Sequence, residues 1–300
     1  MHLFPTLRNY KKENLGKDIL AGLIIMAVSI PISMGYAQIA GLPAVYGLYG
    51  SVLPILFFAV FSTSPQFIFG VDAAPAALVG SALLSMGIES GSEEAMRAVP
   101  VLTLFVALWL FAFSYMKAGK LVNYISAPVM GGFITGICTT IILMQIPKLF
   151  GGSAGVGEFF ELAAHIGESL EKLNLPSLLL GLFALFILLL SKKLIPKFPM
   201  AVLLMAAGAC MTKFLPLKKW GVVTLSAVDP GLMPFALPDI SVIPVREAVT
   251  ISLSVAIVIM AETLLAENSF AQKNGYRIND NQEIFAFAMG NLIAALTGCC

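Results

Sequence analysis

The sequence predicts an all-α, polytopic membrane protein, and composition, hydropathy and segment length support this. Hydrophobic residues make up 58% of the chain and charged residues 12%, whereas ordinary soluble domains carry about 25% charged residues. The mean hydropathy is +0.91. A helix needs about 20 apolar residues to cross a bilayer core of about 30 Å, and several segments reach this length. The net charge of +1 creates no basic field, so we expect the lipid bilayer and not nucleic acid as a partner.

Apolar segments follow a polar, basic N-terminal stretch, residues 1–17, that we assign to the cytoplasm. The first segment contains Pro31, where we expect a kink or local unwinding. The segments lie at about 18–39, 45–61, 70–86, 98–116, 129–146, 175–190, 200–215, 247–266 and 284–296.

The third segment is too short to cross the membrane alone. A polar turn from Ser62 to Gly70 leads into about 15 apolar residues, which as a helix cover roughly 22 Å. Asp72 is placed to cap this helix, and Pro75 lies in its first turn. The helix therefore begins inside the membrane, where irregular backbone survives only beside protein or a watery cavity. Its positive dipole end favours an anion, as at the substrate sites of secondary transporters.

Residues 158–173 differ from the membrane segments, because polar and apolar side chains occupy opposite faces. We predict a helix that lies at the membrane surface. His165 lies on its polar face and is interpreted as a solvated side chain, and the only other histidine of the sequence is His2.

The sequence disfavours an enzyme. It has no HExxH motif, no membrane-embedded histidine that would activate a serine, and no pair of aspartates within the spans. The cysteines lack the paired spacing of a metal site, so we expect packing residues and no metal. They are Cys138, Cys210, Cys299 and Cys300.

The distribution of lysine and arginine favours a cytoplasmic N-terminus in the cell membrane. With the third segment counted as a crossing, eleven of the 18 residues lie inside and seven outside, in accord with the positive-inside rule. The inside residues are Arg8, Lys11, Lys12, Lys17, Lys117, Lys120, Lys192, Lys193, Lys197, Lys273 and Arg277.

A short internal sequence similarity indicates an inverted repeat. YAQIAG at 36–41 follows the first segment and FAQKNG at 270–275 follows the eighth, and the seven spans between them turn the second copy upside down. We therefore expect a first transmembrane repeat at 18–215, an extracellular loop at 216–246, and the start of the second repeat at 247–300. Gly70 lies 29 residues after Gly41, and the same offset from Gly275 places the second broken helix beyond residue 300.

Several motifs resemble the SulP sulfate permeases, the anion transporters that include prestin and pendrin, over the whole 300 residues. They are PISMGYA at 31–37, AGLP at 40–43, GLY at 47–49, Thr63-Ser64, Gly70, Asp72-Ala73, Phe270-Ala271, GYRI at 275–278 and NQE at 281–283. The resemblance implies a seven-plus-seven inverted-repeat transporter, with an anion between half-helices three and ten. It also implies segments ten to fourteen and a cytoplasmic STAS domain, which these residues do not contain. We expect the full-length protein to be a homodimer.

The resemblance assigns substrate binding to Tyr36, Asp72 and Ala73, and the coupling ion to Glu262. Ala73 would offer its backbone N–H beside a side chain small enough for close approach. The sequence departs from the family in three places: Ile32 replaces a common glutamine, Pro65 a common arginine, and Val71 the proline that opens the third helix.

Each assignment has an alternative. Glu262 interrupts an apolar run, where a charge costs at least about 2.5 kcal/mol on insertion scales, so it either binds a coupling proton or sodium ion or reaches interfacial water near the end of its span. Asp72 is either a structural cap or a gating and substrate contact, since an ionised cap would repel an anion. Tyr36 either lines the site or is a packed aromatic. Glu267 is interpreted as lying at the cytoplasmic edge.

The function expected is secondary active transport of a small inorganic or organic anion, such as sulfate, bicarbonate or a dicarboxylate. Alternating access would be driven by symport of a proton or sodium ion, with no cofactor beyond that ion. An anion channel or a voltage-responsive motor on the same scaffold is the alternative.

Overall fold

The computed structural model describes residues 3–7, 10–120, 127–153, 155, 159–195, 200–224 and 235–299, which fold into helices and loops without a β-strand. The predicted all-α class is therefore confirmed. The α-helices of these residues are α1 (Leu15–Ile39), α2 (Ala44–Gly50), α3 (Leu53–Phe61), α4 (Ala73–Ser85), α5 (Glu93–Tyr115), α6 (Ala127–Leu149), α7 (Phe159–Glu171), α8 (Leu175–Leu194), α9 (Met200–Phe214), α10 (Val245–Asn274) and α11 (Asp280–Leu296).

Five helical segments of the described residues are long and apolar enough to cross a membrane, so the chain is a multi-pass membrane protein. They are Lys12–Ile39, Ala44–Phe61, Glu93–Tyr115, Leu175–Leu194 and Val245–Asn274. The third segment is the 13-residue helix α4, as short as predicted. Several predictions fall outside the described residues: those on His2, Arg8, Glu158, Lys197, Cys300 and positions 225–234 of the predicted loop.

The second segment is not one continuous helix, because Ser51 and Val52 separate α2 from α3. The Ser51 hydroxyl oxygen lies 2.6 Å from Ser33 Oγ and 2.9 Å from the Gly47 carbonyl oxygen. Pro54 stands in the first turn of α3, a position that proline favours because its missing N–H needs no partner there. Pro54 was the sequence signal for this break.

Two further boundaries differ from expectation. The helix α1 runs unbroken through Pro31, which excludes local unwinding there, while the alternative of a kink stays a prediction. The helix α10 continues to Asn274, eight residues beyond the predicted Ala266. It ends where Gly275 adopts φ 72°, a left-handed conformation that glycine takes at low cost after a helix.

The chain divides into two compact units. Unit 1 comprises Met1–Asn14, Ile32–Gly136 and Val228–Cys300, and unit 2 comprises Leu15–Pro31 and Ile137–Ala227. In unit 1, α5 packs along α11 and α10, and α11 also packs on α3. Burial of their apolar side chains stabilises the unit. Fully buried side chains of this core include Val99, Leu102, Leu110, Ile284 and Phe287.

In unit 2, the helix α8 contacts α9 and exposes a largely apolar surface, including Leu179, Phe183 and Phe186. Such a surface suits contact with lipid. The predicted amphipathic helix is present as α7, where Leu162 is buried and His165 is half-exposed. Its location at the membrane surface stays a prediction.

Candidate functional site

The candidate site lies in unit 1 at the N-terminus of the short helix α4. Asp72 is the N-cap residue, with extended backbone (φ −116°, ψ 153°), and its Oδ1 accepts a hydrogen bond of 2.7 Å from the Ala73 N–H. The backbone carbonyl of Asp72 accepts a second bond, of 3.1 Å, from the Ala76 N–H. Asp72 therefore caps the half-helix, as the sequence predicted.

The first turn of α4 has few amide donors left for a ligand. The Ala73 N–H bonds Asp72, the Ala76 N–H is also bonded, and Pro75 has no N–H to offer. Within the described part of the chain, this leaves the Ala74 N–H without a hydrogen bond. An anion that used the Ala73 N–H would first have to displace the Asp72 carboxyl.

Glu262 faces this helix terminus from α10. Its carboxyl group lies within hydrogen-bonding reach of the Asp72 carboxyl, because α10 packs beside α4. The Oε2 atom of Glu262 is buried and has no hydrogen-bond partner among the residues that the structure describes. Two acidic side chains thus meet where the sequence predicted an anion.

The length of α10 bears on the alternative interpretation of Glu262, in which this side chain reaches interfacial water near the end of its span. The helix continues for 12 residues after Glu262, about 18 Å along its axis. Glu262 therefore lies well inside the helix, and the alternative that it reaches interfacial water stays a prediction.

Tyr36 joins the same cluster from α1. Its ring is half-buried, and its hydroxyl is close enough to interact electrostatically with both Asp72 and Glu262. The helices α1 and α4 touch through Gly80, where an added Cβ would lie only 2.1 Å from the Ile39 carbonyl oxygen. The glycine allows this close approach of the two helices. The structure thus brings Tyr36 and Glu262 to the Asp72–Ala73 cap, which unites all four residues predicted to form the site.

A second carboxyl pair lies farther along α10, and the sequence reasoning missed it. Glu267 is fully buried against Glu283 of α11, and its assignment to the cytoplasmic edge stays a prediction. Glu283 accepts hydrogen bonds from Ser62 Oγ at 2.8 Å and from both the backbone N–H and the hydroxyl of Thr63. The available signal was the NQE motif at 281–283, which had no assigned role.

The loop that leads into α4 is held on its apolar side by aromatic rings. Phe69 stacks on Phe58 and on Phe287, with ring centroids 5.3 and 6.4 Å apart. Its ring also covers Gly290 of α11, where an added Cβ would lie 2.7 Å from Phe69 Cζ. The loop is thus fixed by α11 on both its polar and apolar sides.

Comparison with known proteins identifies the family. Residues 15–300 match the family model described as the sulfate permease family. The chain belongs to this family. A protein named "probable sulfate transporter" from Mycobacterium tuberculosis (strain ATCC 25618 / H37Rv) is 28% identical over 290 residues, which cover 97% of this chain and 52% of that protein. This sulfate permease family member thus spans about half the length of the curated relatives it matches.

Two solved structures share the fold. SLC26A9 superposes with a TM-score of 0.83 at 24% identity, covering 98% of this chain and 49% of that one. The transmembrane domain of the cyanobacterial bicarbonate transporter BicA gives a TM-score of 0.77 at 18% identity, covering 97% and 74%. The relative is named a transporter and the family a permease family, in agreement with the prediction that the chain is not an enzyme.

Proposed function

We propose that this sulfate permease family member functions in secondary active transport of a small anion such as sulfate, bicarbonate or a dicarboxylate. The anion would bind at the N-terminus of α4, with Tyr36 lining the site and Ala73 beside it. The observation that supports this most is the meeting of Asp72 and Glu262 at the N-terminus of a half-helix.

The two carboxyl groups explain why an anion would need a cation. At an effective dielectric constant of about 20, two unit negative charges about 4 Å apart repel by about 4 kcal/mol. An anion beside an ionised Asp72 and an ionised Glu262 would feel this repulsion from both. A proton or sodium ion on the pair removes much of it, so binding of the cation strengthens binding of the anion, and the reverse holds equally.

This linkage is the basis of the proposed symport. Glu262 would take the coupling ion, since its buried Oε2 has no hydrogen-bond donor in the described structure. Asp72 would keep its role as the cap and yield the Ala73 N–H to the anion once the pair has been neutralised. No organic cofactor or structural metal is invoked, only the coupling ion.

The remaining assignments are also proposals. We place the protein in the cell membrane with its N-terminus in the cytoplasm, and its full-length form in a homodimer. Residues 18–215 would form the first repeat and 247–300 the start of the inverted second. Access would alternate as the half that carries α1 to α4 and α10 rocks against the rest.

Uptake of labelled anions by the full-length protein in liposomes tests the proposal. Sulfate, bicarbonate and fumarate are compared at two pH values, with and without a sodium gradient. We expect one of them to accumulate, and Glu262→Gln to abolish the response to the gradient while anion binding stays measurable. The control is Glu171→Gln, an exposed carboxylate on α7. Gradient-driven uptake that is unchanged in Glu262→Gln would exclude the coupling role.

Counterflow distinguishes a transporter from a channel on the same scaffold. Unlabelled anion inside the liposomes should stimulate entry of labelled anion, because a carrier returns faster when loaded. A channel or a voltage-responsive motor would show no such stimulation, and that result would replace the proposed function.

A further inference from the structure

The buried pair Glu267 and Glu283 lies apart from the candidate anion site and has no role in the proposed function. Both side chains are 0% exposed. No N–H or O–H group of the described residues donates a hydrogen bond to either oxygen of Glu267. Glu283 is the opposite case, because Ser62 and Thr63 direct three donors at its two oxygens.

Among the residues that the structure describes, the titratable groups that act on Glu267 supply no positive charge. The titratable neighbours that act on it are Glu283 and Asp280, both on α11 and both acidic. Asp280 Oδ1 is occupied, since it accepts a hydrogen bond of 3.0 Å from Asn268 Nδ2 on α10. The loop contributes only the uncharged groups of Ser62 and Thr63. Two carboxylates buried in contact, without a cation, repel each other and lose their hydration.

A proton is the cation that fits this site. In the part of the chain that the structure describes, no group of three or more His, Cys, Asp or Glu residues is arranged to hold a metal ion. The donors also decide which carboxyl carries the proton. Glu283 accepts three hydrogen bonds, so it is the ionised carboxylate. Glu267 accepts none, so it carries the proton and is itself the donor.

We propose that Glu267 and Glu283 bind one proton between them, carried on Glu267 and donated to Glu283, and that this proton holds the loop before α4 against α11. The proposal is independent of which anion is moved and of whether Glu262 binds a coupling ion. It assigns a proton-binding site with a positioning role to the same helix that carries Glu262.

The loop contacts show what the proton would hold in place. The Thr63 hydroxyl oxygen accepts the Asn279 N–H at 3.0 Å, and Gln282 Nε2 donates to the Phe61 carbonyl oxygen at 2.8 Å. The loop from Ser62 to Gly70 runs directly into the α4 cap. Loss of the proton would set Glu267 against Glu283, weaken the bonds to Ser62 and Thr63, and loosen the approach to α4.

Infrared spectroscopy of the purified full-length protein tests whether the proton is present. A protonated carboxylic acid has a C=O stretching band that a carboxylate lacks. We expect the spectrum of the wild type minus that of Glu267→Gln to contain this band at neutral pH. The matched control, Glu171→Gln on the exposed face of α7, should change only carboxylate bands. Absence of the protonated band from the Glu267→Gln difference would overturn the proposal.

Hydrogen exchange then tests the positioning role. The measured quantity is the amide exchange rate of a peptide covering 62–70, compared between the wild type and Glu267→Gln at each pH. Once the pH is high enough to remove the proton, this rate should be about tenfold or more higher in the wild type than in the variant. The variant keeps a neutral amide donor to Glu283, so its loop should stay protected. Equal exchange in the two proteins at every pH would refute the positioning role.

If Glu267→Gln does not fold, a second variant tests the same proposal. In Glu283→Gln, the new amide donates to Glu267, which becomes the carboxylate, so the protonated band should again disappear. If neither variant folds, the band and the slow exchange of peptide 62–70 must vanish together when the pH of the wild type is raised. Independent loss of the two signals would contradict the proposal.

Discussion

Two pairs of carboxyl groups share the helix α10, and their surroundings are opposite. Glu262 and Glu267 are five residues apart, which separates them by about 7.5 Å along the helix axis and about 140° around it. Glu262 meets Asp72, remains partly exposed, and has a buried oxygen without a donor. Glu267 meets Glu283 in full burial, and Glu283 is saturated with donors from the loop.

The difference separates a site that exchanges ligands from one that holds the fold. A carboxylate whose donors come from the protein is stabilised in one ionisation state and one position. Each pair has one carboxyl that accepts from the protein and one with a buried oxygen that lacks a donor. The pairs differ in exposure and in the number of donors, because Glu262 is partly exposed and Asp72 accepts one side-chain bond, whereas Glu267 is fully buried and Glu283 accepts three. Exposure is what a site that exchanges an external ion requires, so intramembrane acidity alone does not indicate transport.

Removing Glu283 should have the largest effect on stability. Glu283→Ala removes the acceptor of the Ser62 hydroxyl and of the Thr63 N–H and hydroxyl, and since each donor left unsatisfied costs about 1–3 kcal/mol, we expect a loss of about 3–5 kcal/mol. Thermal unfolding of the full-length protein in detergent measures the loss, with Glu262→Ala as the matched variant at the other pair. We expect Glu262→Ala to lose less than about 1 kcal/mol. Equal losses would remove the distinction between the two pairs.

Thr63→Val should come next. Valine matches the shape of threonine but removes the hydroxyl that bonds Glu283 and Asn279, so we expect a loss of about 2 kcal/mol in the free energy of unfolding. Thr212→Val is the control, because the Thr212 hydroxyl is exposed and bonds only its own helix. A Thr63→Val protein as stable as this control would show that the loop is held by its aromatic side.

Gly290→Ala tests that aromatic side without touching either carboxyl pair. The new methyl group would press on the Phe69 ring, and we expect a loss of about 1 kcal/mol, at the low end for overpacking because the ring can turn. Gly208→Ala on α9, where no described atom lies within 4 Å of the added Cβ, should gain up to about 1 kcal/mol of helix propensity. Thermal unfolding of both variants measures these changes in stability. A Gly290→Ala protein more stable than the wild type would contradict the close contact between Gly290 and Phe69.

Glu262→Gln should have the smallest effect on stability, a change within about 0.5 kcal/mol in either direction. The amide removes a charge that faces Asp72 and takes no protein donor away. Thermal unfolding should therefore separate this variant from Glu283→Ala even if both fail to transport. A loss above about 2 kcal/mol would assign Glu262 to the framework of the fold.

The sequence predicted those features that depend on local pattern. The length of α4, its Asp72 cap and the position of Glu262 in an apolar run all follow from residues close together in the chain. The partnership of Glu283 with Ser62 joins residues 221 positions apart, so it depends on the packing of α11 against α3, which no local pattern specifies. The same holds for Glu267, because its contact with Glu283 also depends on how α10 packs against α11.

The break between α2 and α3 and the true end of α10 had local signals. Pro54 and Gly275 mark these boundaries, whereas the apolar pattern continues past Pro54 and stops before Gly275. Hydropathy indicates which residues suit the membrane and not where a helix ends, so it predicts an end of α10 that is eight residues too early.

The contact of Gly80 with Ile39 restricts how the anion can be carried. A Cβ added at Gly80 would lie 2.1 Å from the Ile39 carbonyl oxygen, so no side chain fits between α4 and the end of α1. Under the proposed alternating access, Asp72 and Tyr36 would therefore move together, and a bound ion would keep its ligands on these two helices.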